Sequence, residues 1–184
     1  AAALEQLQAA LEPGDGGEWL PLAVLGRAGT AERRALLAAW LGQCGGNDRL
    51  SGLHVERAAE LAERGATGRA LSLPGNLSLF RDRDALWLGP APGPQFPARL
   101  ERWLEAPEGL RCPERDLSFS WWRLGGDPPG WPVATGSRVR VRSPAPGDSI
   151  QGATGHAPSA LRELFARAAW TRRQRARALV VEQN

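Results

Sequence analysis

Proline and glycine decide first what this chain can be. Pro13-Gly14, Pro74-Gly75-Asn76, the run GPAPGPQFP at 89–97, GGDPPG at 125–130 and Pro146-Gly147-Asp148 divide it into short segments. Proline removes a backbone donor and fixes φ, and glycine favours turns, so regular structure breaks at these points. Short helices and strands fit between them, and no apolar run reaches the ~20 residues of a membrane span. The 184 residues allow one or two domains with a real core. No signal peptide opens the chain, and Ala1 is expected to follow upstream sequence.

Periodicity fills in the segments. Leu4, Leu7 and Leu11 recur at helical spacing over 1–12, up to the stop at Pro13-Gly14. Residues 30–43 read as a second helix, with Thr30 as N-cap and Leu36, Leu37, Trp40 and Leu41 as its apolar stripe. A third helix spans 52–64 between Ser51 and Gly65, with Val55, Ala58, Ala59 and Ala62 inward. Strands at 69–73, 77–81 and 85–88 form an antiparallel meander, with Asp82 and Asp84 in its last turn. After the 89–97 linker, 98–106 reads as a short helix with Leu100, Trp103 and Leu104 inward. LSFSWWRL at 117–124 reads as a strand that sends Trp121 and Trp122 to opposite faces. One of these belongs to a core; the other is open to a base or a partner.

A domain boundary is expected near Thr135-Gly136, between 1–134 and 135–184. In the second domain Arg138-Val139-Arg140-Val141-Arg142 alternates strictly. Gly152-Ala153-Thr154-Gly155 makes a loop before a helix at about 159–169, capped by Ser159, with Leu161, Leu164, Phe165 and Ala168 inward. A cluster of Arg172, Arg173, Arg175 and Arg177 precedes an apolar strand, Ala178-Leu179-Val180-Val181. Gln183-Asn184 starts a turn with no partner strand after it, so the domain is expected to be cut short. The expected class is α+β: a mainly helical domain with a small β meander, then a small, truncated α/β domain.

Charge then points to a partner. All 23 basic side chains are Arg and none is Lys, the usage of a GC-rich gene, and the net charge is +3. Residues 1–110 hold 11 Arg against 14 acids, whereas 138–177 hold nine Arg against only Asp148 and Glu163. A basic block beside an acidic body fits a polyanion, because guanidinium binds phosphate bidentately. Arg138, Arg140 and Arg142 would share one strand face about 7 Å apart, a row able to track a phosphate backbone. The other reading of that row is an edge strand that uses charge against aggregation. Arg33 falls within the apolar stripe of its helix and Arg34 at its edge, placed either to snorkel outward or to meet RNA or a partner domain. With Arg162, Arg172, Arg173, Arg175 and Arg177 they complete the candidate RNA-binding set. The 152–155 loop is either a phosphate cradle or a plain loop.

No catalytic set is legible. No Ser/His/Asp group, HExxH or P-loop occurs, so the expectation is no catalytic residue and no cofactor held by this chain. His54 and His156 stand alone and read as structural, and Cys44 and Cys112 form no CxxC pair, so no metal site is expected. The two thiols read as buried or free in a reducing compartment, and no membrane partner is expected.

The order of these features resembles the C-terminal region of bacterial tRNA(Ile)-lysidine synthetases. Val139 and Val141 match the family's strand, Pro146-Gly147-Asp148 its turn and Leu161-Arg162-Glu163-Leu164-Phe165 its helix. Arg175 and Arg177 match its R-x-R pair, and Leu179-Val180-Val181 its closing strand. Glu18-Trp19-Leu20-Pro21-Leu22, Arg33 to Leu41 and Leu71-Ser72-Leu73-Pro74-Gly75 resemble its helical substrate-binding domain. Thr171, Arg172 and Arg173 replace the family's Pro-Pro-Trp, and Ser159 and Ala160 its leading Lys, which leaves open which basic groups touch RNA. The resemblance implies a cytoplasmic ATP-dependent ligase that joins lysine to the wobble cytidine of an isoleucine tRNA, using ATP with Mg. That chemistry belongs to an N-terminal catalytic domain of the same polypeptide with an SGGxDS-type loop, a sequence not found here. This chain would supply tRNA binding and discrimination. A protein-interaction module with Arg rows on acidic partner surfaces is the alternative, and a homologue without a tRNA role a third. The oligomeric state is not legible.

Overall fold

A computed structural model describes residues 2–45, 50–105, 110–112, 117–119, 138–150 and 157–183. It contains helices and antiparallel sheets, as the α+β expectation requires. The chain divides into two units, 1–96 and 97–184. Trp121, Trp122, His156, the 152–155 loop and the expected boundary at Thr135-Gly136 lie outside the described residues.

The first unit runs α1 (Ala2–Ala10), β1 (Glu12–Gly14), β2 (Gly17–Pro21), α2 (Leu22–Gly26), α3 (Thr30–Gly45), α4 (Gly52–Arg64), β3 (Ala70–Leu73), β4 (Leu77–Arg81) and β5 (Ala85–Pro90). Its strands form one antiparallel sheet in the order β1-β2-β5-β4-β3. The meander is therefore as expected, but a hairpin that was not expected extends it. Pro13-Gly14 does more than stop α1: it lies in an edge strand, where a missing donor is tolerated. The turn signal is Asp15-Gly16, with φ of 55° and 81°, the two-residue geometry that suits an Asp-Gly hairpin.

Strand alternation divides the apolar residues between two faces. Leu20, Leu79, Leu86 and Leu88 meet Leu7, Leu36, Leu37, Trp40 and Leu41 from the helices. Trp19, Phe80 and Trp87, aligned across three strands, cluster on the other face and are covered by Phe96. The buried indoles keep their N–H groups bonded: Trp87 Nε1 donates to the Gly14 carbonyl at 3.1 Å and Trp19 Nε1 to Asp15 at 3.0 Å. Ser51 starts α4 as expected, in a capping box whose second partner is His54.

The second unit contains β6 (Glu101–Glu105), the paired β7 (Leu110–Cys112) and β8 (Leu117–Phe119), and β9 (Arg138–Arg142). The paired β10 (Ser149–Ile150) and β11 (Ser159–Ala160), α5 (Leu161–Arg167), α6 (Arg172–Arg177) and β12 (Val180–Gln183) follow. The sheet order is β12-β9-β6, antiparallel throughout. Two sequence readings are corrected here. Residues 101–105 form a strand rather than part of a helix at 98–106, because alternation puts Leu104 against Val139 and sends Glu101, Trp103 and Glu105 to the charged face. Ser159 does not cap α5: it pairs with Ile150 in β11, and Ala160 holds the cap position without a side-chain bond.

Candidate nucleic-acid interface

The alternating strand lies in the middle of the sheet, so the edge-strand reading of the Arg row is corrected. Val139 and Val141 are fully buried with Leu104, while Arg138, Arg140 and Arg142 share the opposite face. Residues directly opposed in antiparallel strands share a face. The register sets Glu105 beside Arg138, Trp103 and Glu182 beside Arg140, and Glu101 beside Arg142. The Arg row therefore meets acids from both neighbours, and the charge of the strand part of 138–177 is paired within the sheet.

Arg140 donates to Glu101 Oε1 from Nε at 3.0 Å and Nη2 at 2.8 Å, and to Glu182 from Nη1 at 3.3 Å. Arg138 lies 3.4 Å from Glu105. Arg142, only 14% exposed, holds Asp148 bidentately at 2.7 and 2.8 Å and binds Glu182 through Nε and Nη2. The Arg142 hydrogen bonds are the main cause that holds the Asp148 and Glu182 carboxyls below the usual carboxylate range. The same bonds, to Asp148 first, raise the already high guanidinium pKa of Arg142. A phosphate approaching this row competes with carboxylates already in place.

Trp103 is the residue the helical reading misplaced. It is 44% exposed, with the Arg138 and Arg140 guanidinium carbons 5.5 and 5.9 Å from its ring centroid, within cation–π range. The segment Glu101-Arg102-Trp103-Leu104-Glu105 carries no apolar alternation, and only its pairing with β9 locates Trp103.

The remaining candidates of the second unit lie on its helices. Arg162 and Arg167 are exposed on α5; Arg172 and Arg175 are exposed on α6, with Arg173 and Arg177 half-buried. A Thr171/Gln174 capping box starts α6, so the Arg cluster is wound into a helix before the closing strand. Arg175 Nε donates to the Thr171 carbonyl at 3.3 Å. Between the helices Trp170 stacks on Phe165, centroids 4.9 Å apart and planes 19° apart, with 37% of Trp170 exposed. The segment 161–177 carries six Arg against Glu163.

In the first unit, Arg33 and Arg34 serve the fold. Arg33 donates to the Leu25 and Ala28 carbonyls at 3.0 and 3.2 Å, which occupies acceptors left by the end of α2, and pairs with Glu63 of α4. Arg34 pairs with Glu56 at 2.9 Å. His54 Nδ1 accepts from the Ser51 amide, a structural role. Among the described residues no three His, Cys, Asp or Glu groups are placed to hold a metal ion, and no helix is long and apolar enough to cross a membrane.

Residues 20–87 match the family model described as the TilS substrate binding domain. The match runs from within β2 to within β5 and takes in α2, α3, α4 and the first strands of the meander. No curated protein matches the chain.

Proposed function

We propose that this chain, whose residues 20–87 match the TilS substrate binding domain, binds tRNA as the C-terminal region of a tRNA(Ile)-lysidine synthetase. The family match is the observation that carries this reading. The Arg-rich segment 161–177, with a partly exposed Trp170 in the same segment, supports it, since phosphate contacts and base stacking are the two general means of holding RNA. In this reading the ligation of lysine to the wobble cytidine, with its ATP and Mg, takes place on an N-terminal catalytic domain of the same cytoplasmic polypeptide, and this chain positions the isoleucine tRNA. The strand face of Arg138, Arg140 and Arg142 contributes less to RNA affinity than α5 and α6, because its charges are already paired.

The test is direct binding of the 184-residue chain to an isoleucine tRNA with a wobble cytidine, against a tRNA of a different anticodon. The expected result is a preference of at least about tenfold, or ~1.4 kcal/mol. Affinity no better for either tRNA than for an unstructured polyanion of equal length overturns the reading. The chain by itself is expected to show no ATP–pyrophosphate exchange.

A further inference from the structure

In the first unit α3 and α4 divide their charges unevenly. Arg33 and Arg34 of α3 occupy Glu63 and Glu56 of α4. These are the acids next in sequence to Arg64 and Arg57, which leaves only Glu60 between the two arginines. Arg69, on the loop that leads to β3, joins them. Arg57, Glu60, Arg64, Gly65 and Arg69 line a single groove with about 300 Å³ of space. Among the described residues none of these three guanidinium groups has an ion-pair partner.

A fourth positive charge lies behind the groove. Arg81 Nε donates to the Gly65 carbonyl at 2.7 Å, and a Cβ on Gly65 would lie 3.0 Å from Arg81 Cδ. Arg81 Nη1 is buried with no hydrogen-bond partner. A buried guanidinium left partly unsatisfied raises the positive potential of the wall in front of it, where solvent screens least. The groove thus has three exposed donors, one opposing carboxylate and a positive floor.

We propose that this groove binds backbone phosphates of an RNA strand, with Arg57, Arg64 and Arg69 as the contacting groups. The proposal rests on the tRNA reading and extends it to residues outside the candidate set named from the sequence. Arg57 and Arg64 are two helical turns apart, ~10.5 Å along the axis, a spacing that suits separate phosphates of one strand. Contacts of this kind carry no base preference; they position the strand and make binding depend on salt.

The experiment measures binding of the full chain to the isoleucine tRNA transcript between about 50 and 200 mM salt. The triple variant Arg57→Ala, Arg64→Ala, Arg69→Ala is compared with Arg27→Ala, Arg83→Ala, Arg99→Ala, which removes the same charge from three exposed positions elsewhere. The groove variant is expected to lose about 2–3 in the slope of log K against log salt, at roughly 0.7–0.9 per phosphate, and the control to lose less than about one. The corresponding Lys triple variant is expected to keep most of the slope. If the Ala variant loses its circular dichroism, the Gln triple variant provides the same comparison. A wild-type chain that fails to bind tRNA overturns both the tRNA reading and the groove. Binding by the wild type with equal slopes for groove and control variants overturns the groove alone. Saturable binding of inorganic phosphate by itself, lost in the groove variant, also overturns it, in favour of a small-anion site.

Discussion

Arg142 shows how one residue's role changes once its neighbours are known. Its guanidinium binds Asp148 and Glu182 together in a half-enclosed site. Arg142→Ala leaves both carboxylates without their main partner, and the expected cost is about 1–3 kcal/mol in urea unfolding. Asp148→Asn in the same background is expected to cost little more, because the interaction has already gone. Both carboxyls titrate below their ordinary values of 3.8 and 4.5, so their contribution is complete above those values and is lost as pH falls through the lower folded ones. Thermal stability should therefore stay level from neutral pH to about 5 and fall below that, with a shallower fall in Arg142→Ala. Cys44 gives a second check. Although Cys44 is exposed, partial desolvation first and then the nearby Glu18 carboxylate push its thiol up to about 11. Alkylation at Cys44, followed by peptide mass spectrometry at pH 8, should be at least about tenfold slower than for a free peptide thiol, and Glu18→Gln should speed it. The alternation of Arg and Val was legible in the sequence, but the partners of Arg142 were not. Asp148 is six residues away, whereas Glu182 is 40. Local charge counting finds the first and not the second.

At the scale of elements, what packs against an element decides more than its own pattern. The Trp87 ring of β5 packs against Gly89 of its own strand and Gly17 of the neighbouring β2. A Cβ on Gly89 would lie 2.5 Å from the Trp87 ring, and one on Gly17 only 2.3 Å from the Leu88 carbonyl. Gly89→Ala is expected to destabilise the first unit by about 1–3 kcal/mol, since the ring is buried and has no room to move. Gly26→Ala, with nothing within 4 Å of the added carbon, should fall within about 0.5 kcal/mol of wild type. Equal midpoints for the two variants in chemical denaturation would contradict the packing described here. Helices α3 and α4 were legible because their apolar residues keep a 3.6-residue period over many turns. Strand β6 was not, because five residues carry too few periods to separate helix from strand. Leu100, Trp103 and Leu104 satisfy either, and only pairing with β9 selects the strand. The β1–β2 hairpin had a usable signal in Asp15-Gly16, which the proline and glycine before it obscured.

At the scale of the molecule, the first unit closes its own core. Its sheet is covered by helices on one face and by the Trp19–Phe80–Trp87–Phe96 cluster on the other, all from residues 1–96. A protein of residues 1–96 is expected to unfold cooperatively in urea with native-like tryptophan fluorescence, while one ended before Phe96 should lose stability as the cluster is uncovered. A non-cooperative transition in 1–96 would show that the first unit depends on the second. The sequence by itself determined most turn-bounded elements and the two-faced strand at 138–142, because these depend on local backbone preference and on residue spacing along the chain. The tertiary structure decided which charges are spent and which remain. Arg140 meets Glu101 and Glu182 across 39 and 42 residues, and Arg33 meets Glu63 across 30. Coulomb attraction acts through space, so strand pairing and helix packing neutralise Arg33, Arg34, Arg138, Arg140 and Arg142 and leave Arg57, Arg64 and Arg69 facing solvent.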